Sequence, residues 1–397
     1  MFGGRARRCL GNEMVKKDSV VHNSSTVEET ITSWTDHYFL STKKIVQKFG
    51  DNTVTYAVFM RRPVISAPRL IITWLQEVAK LRGTHFDIEC LYPEGDWVGA
   101  GEPILYITGS FAALADLETL FLQKLGPVCV AAFNAYIMCS DLPNVAFIAM
   151  DARHCAGLEM TEMMAYAASV GSEAAKRTVG ARGFIGNATA ATAKYFGRSD
   201  ALGTMPHALI GYAGSTLKAV QMFHQMFPQE PLTALVDYFG CEITDSLEVC
   251  RHFRHLITQG RLSIRLDTPG SRFMEGLDQT KSYAVLDQFA PQAIRGYRTE
   301  AELKYLVGAG VSVASIFHLR QALDQHGFHK VKIVGSSGFD PLKCKVMADA
   351  KAPIDVIGTG SYLPQVWTET YATADIIEYN GQQRVKLGRE FLFRKKN

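Results

Sequence analysis

Past residue 50 the chain carries three short runs rich in β-branched and aromatic residues. They are Thr53 to Met60 (TVTYAVFM), His85 to Tyr92 (HFDIECLY) and Pro103 to Phe111 (PILYITGSF), set apart by Pro/Gly turns. These read as strands. An apolar helix follows from about Ala115, and Pro127 inside it is expected to kink or split it. From Asn144 the period changes. VAFIAMDAR precedes a helical pattern over Met160 to Ala175, GFIGN one over Ala190 to Phe196, and LTALVDYFG one over Ser246 to Ile257. LSIRLDTPG runs into a Gly-rich loop, KVKIVGSSGF precedes a helix starting at Asp340, and APIDVIGTGS closes the series. Short apolar strands alternating with amphipathic helices predict βα units on a parallel sheet. Residues 144–361 fit a (β/α) barrel slightly under the usual ~250 residues. Beyond residue 361, Asn380-Gly381 within DIIEYNGQQRVKL is a two-residue hairpin signal. That hairpin is expected to pack back on the first strands, so that residues 362–397 complete the α+β domain of residues 1–143.

Composition narrows the class. Of 397 residues 47% are hydrophobic and 20% charged, which suits a folded globular chain and excludes global disorder. The 42 basic and 39 acidic residues nearly cancel, so charge gives no case for a nucleic-acid partner. The uncharged stretch Leu125 to Ser140 falls short of the roughly 18 apolar residues of a membrane span and reads as a buried helix. Eight cysteines lie scattered with no C-x-x-C pair, as expected of reduced thiols in a cytoplasmic enzyme. The opening MFGGRARRCLGNEMVKK lacks the apolar core of a secretory signal and reads as a frayed tail over about residues 1–25.

A barrel gathers its chemistry where strands end, at the C-terminal face. The first strand of the series ends at Asp151 and Arg153, and a later segment, GTMPHAL, carries His207. LTALVDYFG delivers Asp237, and LSIRLDTPG delivers Arg265 and Asp267. The last two strands end in Gly335 to Gly338 (GSSG) and Gly358 to Ser361 (GTGS). Small residues at the last two strands suit a phosphate, since backbone N–H groups reach an anion only where side chains are small. Within these loops Ser336, Ser337, Gly338, Gly358, Thr359, Gly360 and Ser361 are the candidates. Asp340-Pro341 reads as N-cap and first residue of the next helix. Arg265 and Asp267 share a parity and can both face the mouth, as a phosphate clamp or as a buried structural pair. His207 is a catalytic or a structural histidine, and Arg153 a candidate for an anion. Neither a phosphate-binding G-x-x-x-x-G-K-[ST] nor a G-x-G-x-x-G after a strand is present.

Thr35-Asp36-His37-Tyr38, Ala152-Arg153, GTMPHAL, Leu235-Val236-Asp237, Arg265 to Pro269 (RLDTP), the IVGSSGFD and IGTGS loops and the terminal hairpin together resemble the nicotinate phosphoribosyltransferases. These belong to the type II phosphoribosyltransferases, and the likeness is to their short archaeal-type branch. The resemblance implies an irregular α/β barrel plus an open-sandwich domain. It implies transfer of phosphoribosyl from phosphoribosyl pyrophosphate (PRPP) to the ring nitrogen of nicotinate, giving nicotinate mononucleotide and pyrophosphate for NAD synthesis. It also implies Mg²⁺ with PRPP, ATP as a coupled co-substrate through a phosphorylated His207, and a homodimer with shared sites. By the same resemblance Arg153 lies near the nicotinate carboxylate, and Tyr38 of a second copy stacks on the pyridine. Asp237, Arg265 and Asp267 surround ribose and pyrophosphate, and the two small-residue loops cradle the 5′-phosphate.

The departures from the family pattern fall on the base pocket. Met150-Asp151-Ala152-Arg153-His154 stands where relatives show Phe-Gly-x-Arg-Arg, and Ala188 where they offer a hydroxyl, with Asn187 and Thr189 as neighbouring substitutes. A sister enzyme for nicotinamide or quinolinate and a non-catalytic PRPP-binding relative therefore stay open. An aldolase-like barrel would need a lysine at a strand end; the strand ends named above carry none.

Overall fold

The computed structural model describes residues 26–394, so the expected tail at residues 1–25 lies outside the described residues. The fold is mixed α/β, with a five-stranded antiparallel sheet, a six-stranded parallel sheet and a separate two-stranded pair. The antiparallel sheet is built on β1 (Thr53–Met60), whose residues beyond Thr53 are all buried. Alternation explains how one strand can be buried throughout. Val54, Tyr56, Val58 and Met60 face the main core, while Ala57 and Phe59 pack on the other side with Tyr106, Ile377 and Leu392. Around it lie β3 (Asp87–Cys90), β5 (Pro103–Ser110), β12 (Ala372–Tyr379) and β13 (Gln382–Gln383), in the order β13-β12-β1-β5-β3. A short pair, β2 (Val64–Ile65) with β4 (Trp97–Val98), stands apart. The chain's last strands thus pair with its first, Val58 opposite Ala374. Asn380 and Gly381 form the connecting turn with φ of 49° and 78°, the positive values that a two-residue hairpin demands.

The apolar stretch after β5 leads into one helix, Glu118–Asp141, 24 residues long. Pro127 lies inside it and does not split it as expected. The proline is buried, and tertiary packing on both sides outweighs the hydrogen bond its missing N–H removes. Gly126 shows how close that packing is: a methyl group there would lie 1.8 Å from the Thr370 carbonyl oxygen. On the other side the Leu158–Val179 helix crosses at Gly171, where a methyl would lie 2.2 Å from the Ala132 oxygen. The helical stretch Phe111–Asp141 is long and apolar enough to cross a membrane, yet 61% of its most apolar window is buried inside the protein. It is a core helix.

The parallel sheet holds β6 (Ala146–Ala149), β7 (Gly183–Asn187), β8 (Leu232–Leu235), β9 (Leu262–Leu266), β10 (Lys332–Gly335) and β11 (Val356–Thr359). Its order is β7-β6-β11-β10-β9-β8, with β7 and β8 at the two ends. Two helical expectations are corrected. Residues Ala190–Phe196 form a 3₁₀ segment, and the pattern over Ser246 to Ile257 belongs to two helices, Glu242–His252 and Arg254–Thr258, parted at Phe253. The ring of Phe253 is buried, so the break seats it in the core.

Candidate active site

Strands β8, β9 and β10 are parallel neighbours, with Leu235 opposite Arg265 and Leu266 opposite Gly335. Their register brings the residues at their C-terminal ends together. Arg265 uses every nitrogen: Nε donates to Ser336 Oγ at 2.9 Å, Nη1 to Thr204 Oγ1 at 2.8 Å, and Nη2 to Asp267 Oδ2 at 3.1 Å. Ser336 Oγ in turn donates to Asp267 Oδ1 at 2.7 Å. The His207 Nε2 atom lies 3.1 Å from each carboxylate oxygen of Asp237 and 4.0 Å from Asp267. A carboxylate only accepts, so Nε2 is the ring nitrogen that donates to Asp237, and Nδ1 points away from that bond. The imidazole remains 44% exposed while Asp237 is nearly buried, so the ring covers the acid from outside. Burial raises the Asp237 carboxyl above the usual aspartate range; His207 pulls it down and the charge of Asp267 pushes it up. Burial lowers the Arg265 guanidinium, Asp267 and Asp237 oppose this, and Arg153 adds to it through like-charge repulsion.

Behind this set lies a second ion pair, with a buried acid and a half-buried arginine. Glu242, wholly buried, holds Arg272 at 2.6 Å and accepts from the Thr268 hydroxyl, and Arg272 also donates to the Asp237 carbonyl at 2.7 Å. It fixes the backbone that presents Asp237 and Asp267.

The two small-residue loops are joined. Strands β10 and β11 pair directly, and Thr359 Oγ1 donates to the Phe339 carbonyl at 2.6 Å. Asp340 caps the Pro341–Asp349 helix by accepting from the Lys343 N–H, with Pro341 at its first turn, as the sequence predicts. Ser337 and Gly338 have φ of 76° and 65°, and no backbone hydrogen bond among the described residues uses the N–H of Ser337, Gly338 or Gly360. Gly360 has no room for a side chain, since a methyl would lie 2.9 Å from the Asp151 Cα. A concave run of small residues with unpaired N–H groups suits an anion.

The other candidates lie around this centre. Arg153 is exposed on the turn after β6 and makes no ion pair among the described residues. Met150 packs against Gly358, where a methyl would lie 2.8 Å from its sulfur. Asn187 and Thr189 bond each other and Thr192 at the end of β7. Tyr38 is not part of the cluster: it lies 62% exposed on the His37–Phe49 helix and bonds Asp36. Sequence reasoning missed Thr204, Arg272, Glu242 and Lys343. Thr204 stands three residues before His207 in the same segment, which was the available signal. An apolar groove of 510 Å³, lined by Pro127, Ala156, Met160, Met163, Trp367 and Tyr371, opens beside the turn that carries Arg153.

Residues 36–129 match the family model of the quinolinate phosphoribosyl transferase N-terminal domain. A nicotinate-nucleotide pyrophosphorylase from Pyrococcus furiosus is 25% identical, with a TM-score of 0.66 over 92% of this chain and 80% of that one. Human nicotinic acid phosphoribosyltransferase is 16% identical, with a TM-score of 0.57 over 89% and 76% of the two chains. A nicotinate-nucleotide pyrophosphorylase from Ehrlichia chaffeensis is 14% identical, with a TM-score of 0.51 over 89% and 99%. The last two likenesses are of fold alone. No curated protein matches the chain. Residues 36–129 thus match a quinolinate phosphoribosyl transferase domain, and the fold is similar to that of solved nicotinate-nucleotide pyrophosphorylases and a nicotinic acid phosphoribosyltransferase.

Proposed function

We propose that this chain is a phosphoribosyltransferase of NAD synthesis that joins nicotinate to the ribosyl carbon of PRPP and releases pyrophosphate. The observation that carries the reading is the bonded set His207, Asp237, Arg265, Asp267 and Ser336 beside a loop with unpaired N–H groups. In the reaction the bond from C1 to pyrophosphate breaks as the pyridine nitrogen attacks, through an oxocarbenium-like state. The ring nitrogen already holds a lone pair, so no general base is needed, and positioning with electrostatic stabilisation supplies the rate. The Ser336–Gly338 and Gly358–Ser361 loops hold the 5′-phosphate, and Asp237 and Asp267 the ribose. Among the described residues no cluster of three or more side chains suits a metal by itself. Two carboxylates sharing the ion with substrate phosphates is the usual magnesium arrangement, and Asp237 and Asp267 fit it. Mg²⁺ held there would neutralise the departing pyrophosphate.

Support for nicotinate over quinolinate is the state of the cations. Arg265 and Arg272 are committed to internal acids, whereas Arg153 is free to meet one carboxylate. Quinolinate carries two. The quinolinate-type N-terminal match keeps that enzyme as the second reading. Two bridges support curling of the six strands into an irregular barrel, because the segment after β7 reaches β9 through Thr204 and the acid after β8 through His207. ATP coupling would place a phosphoryl group on Nδ1 of His207. A second copy of the chain, meeting the first as a homodimer, would supply Tyr38, and the cytoplasm is the compartment that scattered thiols suit.

The test is pyrophosphate release from PRPP and Mg²⁺ with nicotinate, nicotinamide or quinolinate, each with and without ATP. Release with nicotinate alone is expected, stimulated by ATP. Release with another base would move the substrate within the same chemistry, and none with any base would overturn the reading.

A further inference from the structure

We infer that Lys343 is a positioning residue for the phosphate loop, its buried ammonium fixing the Ser337 carbonyl from behind so that the loop's N–H groups stay free for a sugar phosphate. This rests on the reading of residues 335–338 as a phosphate cradle. Lysine is almost never fully buried without a partner, yet Lys343 is only 4% exposed and makes no ion pair among the described residues. It sits in the first turn of the Pro341–Asp349 helix, where the backbone dipole disfavours a cation. Its Nζ donates to the Ser337 carbonyl at 2.7 Å and lies 4.2 Å from the centre of the Phe339 ring. Ser337 is the residue that needs holding, because a residue with a side chain is strained at φ 76°. Ser336 Oγ accepts from Arg265, the Ser337 carbonyl from Lys343 and the Phe339 carbonyl from Thr359, so these three oxygens are turned to protein donors while the N–H groups of Ser337 and Gly338 are not used by any backbone bond among the described residues. The charge behind the loop also favours an anion in front.

The groups facing Lys343 are Asp340, Asp267, Cys344, Tyr305 and Lys304. Burial lowers the ammonium to about 8, against the pull of Cys344, Asp340 and Asp267. Tyr305 is pushed up to about 12 and the Cys344 thiol well above its usual value, so neither titrates nearby. Phosphate monoesters ionise at about 6, well below this window.

The experiment is calorimetric titration of the full-length protein with PRPP and Mg²⁺ between about pH 7 and pH 9. Wild type is expected to lose affinity as pH rises through 8. Lys343→Met should weaken PRPP binding by roughly 10- to 100-fold at pH 7, the worth of a charge-assisted hydrogen bond. Lys343→Arg should bind tightly and lose the pH dependence, since guanidinium stays charged. In a Ser337→Gly background, where glycine adopts positive φ freely, Lys343→Met should cost less than about threefold. Wild type that binds no PRPP would sink the proposed function itself. Wild type that binds, with a folded Lys343→Met equal to it at every pH, would overturn the role of Lys343. If Lys343→Met does not fold, a Lys343→Arg profile falling like wild type would overturn it instead.

Discussion

Arg265 is held at three points in one plane, by Ser336, Thr204 and Asp267, and only a guanidinium can satisfy all three at once. Lysine keeps the charge and loses the fork. Arg265→Lys is therefore expected to raise the PRPP KM by about tenfold or more and to lower stability by about 1–3 kcal/mol, as Asp267 or Thr204 loses its donor. Steady-state kinetics and thermal melts check both; a variant close to wild type in each would mean that the fork is not used. The Arg265–Asp267 pair was legible in the sequence because residues two apart on a strand share a face. Lys343 was not. Its helix begins on the far side of the loop, and only the turn made by Ser337 and Gly338 brings the ammonium back beneath it. Asp237 was visible as a strand end, but the Glu242–Arg272 pair behind it joins a helix to a loop some 30 residues later, a distance that no local pattern reports.

At the scale of elements, β1 was readable to its ends because burial on both faces leaves a continuous apolar run. The long helix misled at Pro127, since proline predicts a break from local chemistry while burial against β12 and the Leu158–Val179 helix is a tertiary effect. The start of that helix carries a titration of its own. Glu118 lies between Tyr56 on β1 and Asp375 on β12, and burial raises its carboxyl to about 7, with Asp375 and Asp36 adding to the shift and the Tyr56 hydroxyl opposing it. The folded state thus binds a proton that the unfolded state has released above 4.5. Stability is expected to fall as pH rises from about 4.5 to about 7 and to level off beyond. Glu118→Gln removes the charge without removing the side chain. Its melting temperature should exceed that of wild type at pH 8 and the gap should close toward pH 5; a gap that does not change with pH would show that Glu118 is not the titrating group.

At the scale of the molecule, the pairing of β12 with β1 ties the end of the chain to its beginning, and the hairpin signal at Asn380-Gly381 announced it. The relation of Tyr38 to the site is of another kind. In a single chain Tyr38 has no contact with the His207 cluster, although both belong to segments that carry the same family resemblance. On the two helices Val27–Trp34 and His37–Phe49 the exposed side chains include Trp34, Tyr38, Ile45 and Phe49, with Trp34 71% and Phe49 78% accessible. In the homodimer proposed above, a two-fold axis would use these exposed apolar side chains twice, once over each site. Mixing variants separates this arrangement from a monomeric site. On the proposed reading Tyr38→Ala and Arg153→Ala would each damage the base pocket, and each residue is exposed, so neither change should unfold the chain. If Tyr38 reaches across, every mixed dimer has one site with both defects and one with neither. Denaturing and refolding the two inactive variants together should then restore about a quarter of wild-type activity, since random pairing makes half the dimers mixed and half their sites intact. Activity no higher than that of either variant alone would place Tyr38 outside the partner's site and leave the base pocket to one chain.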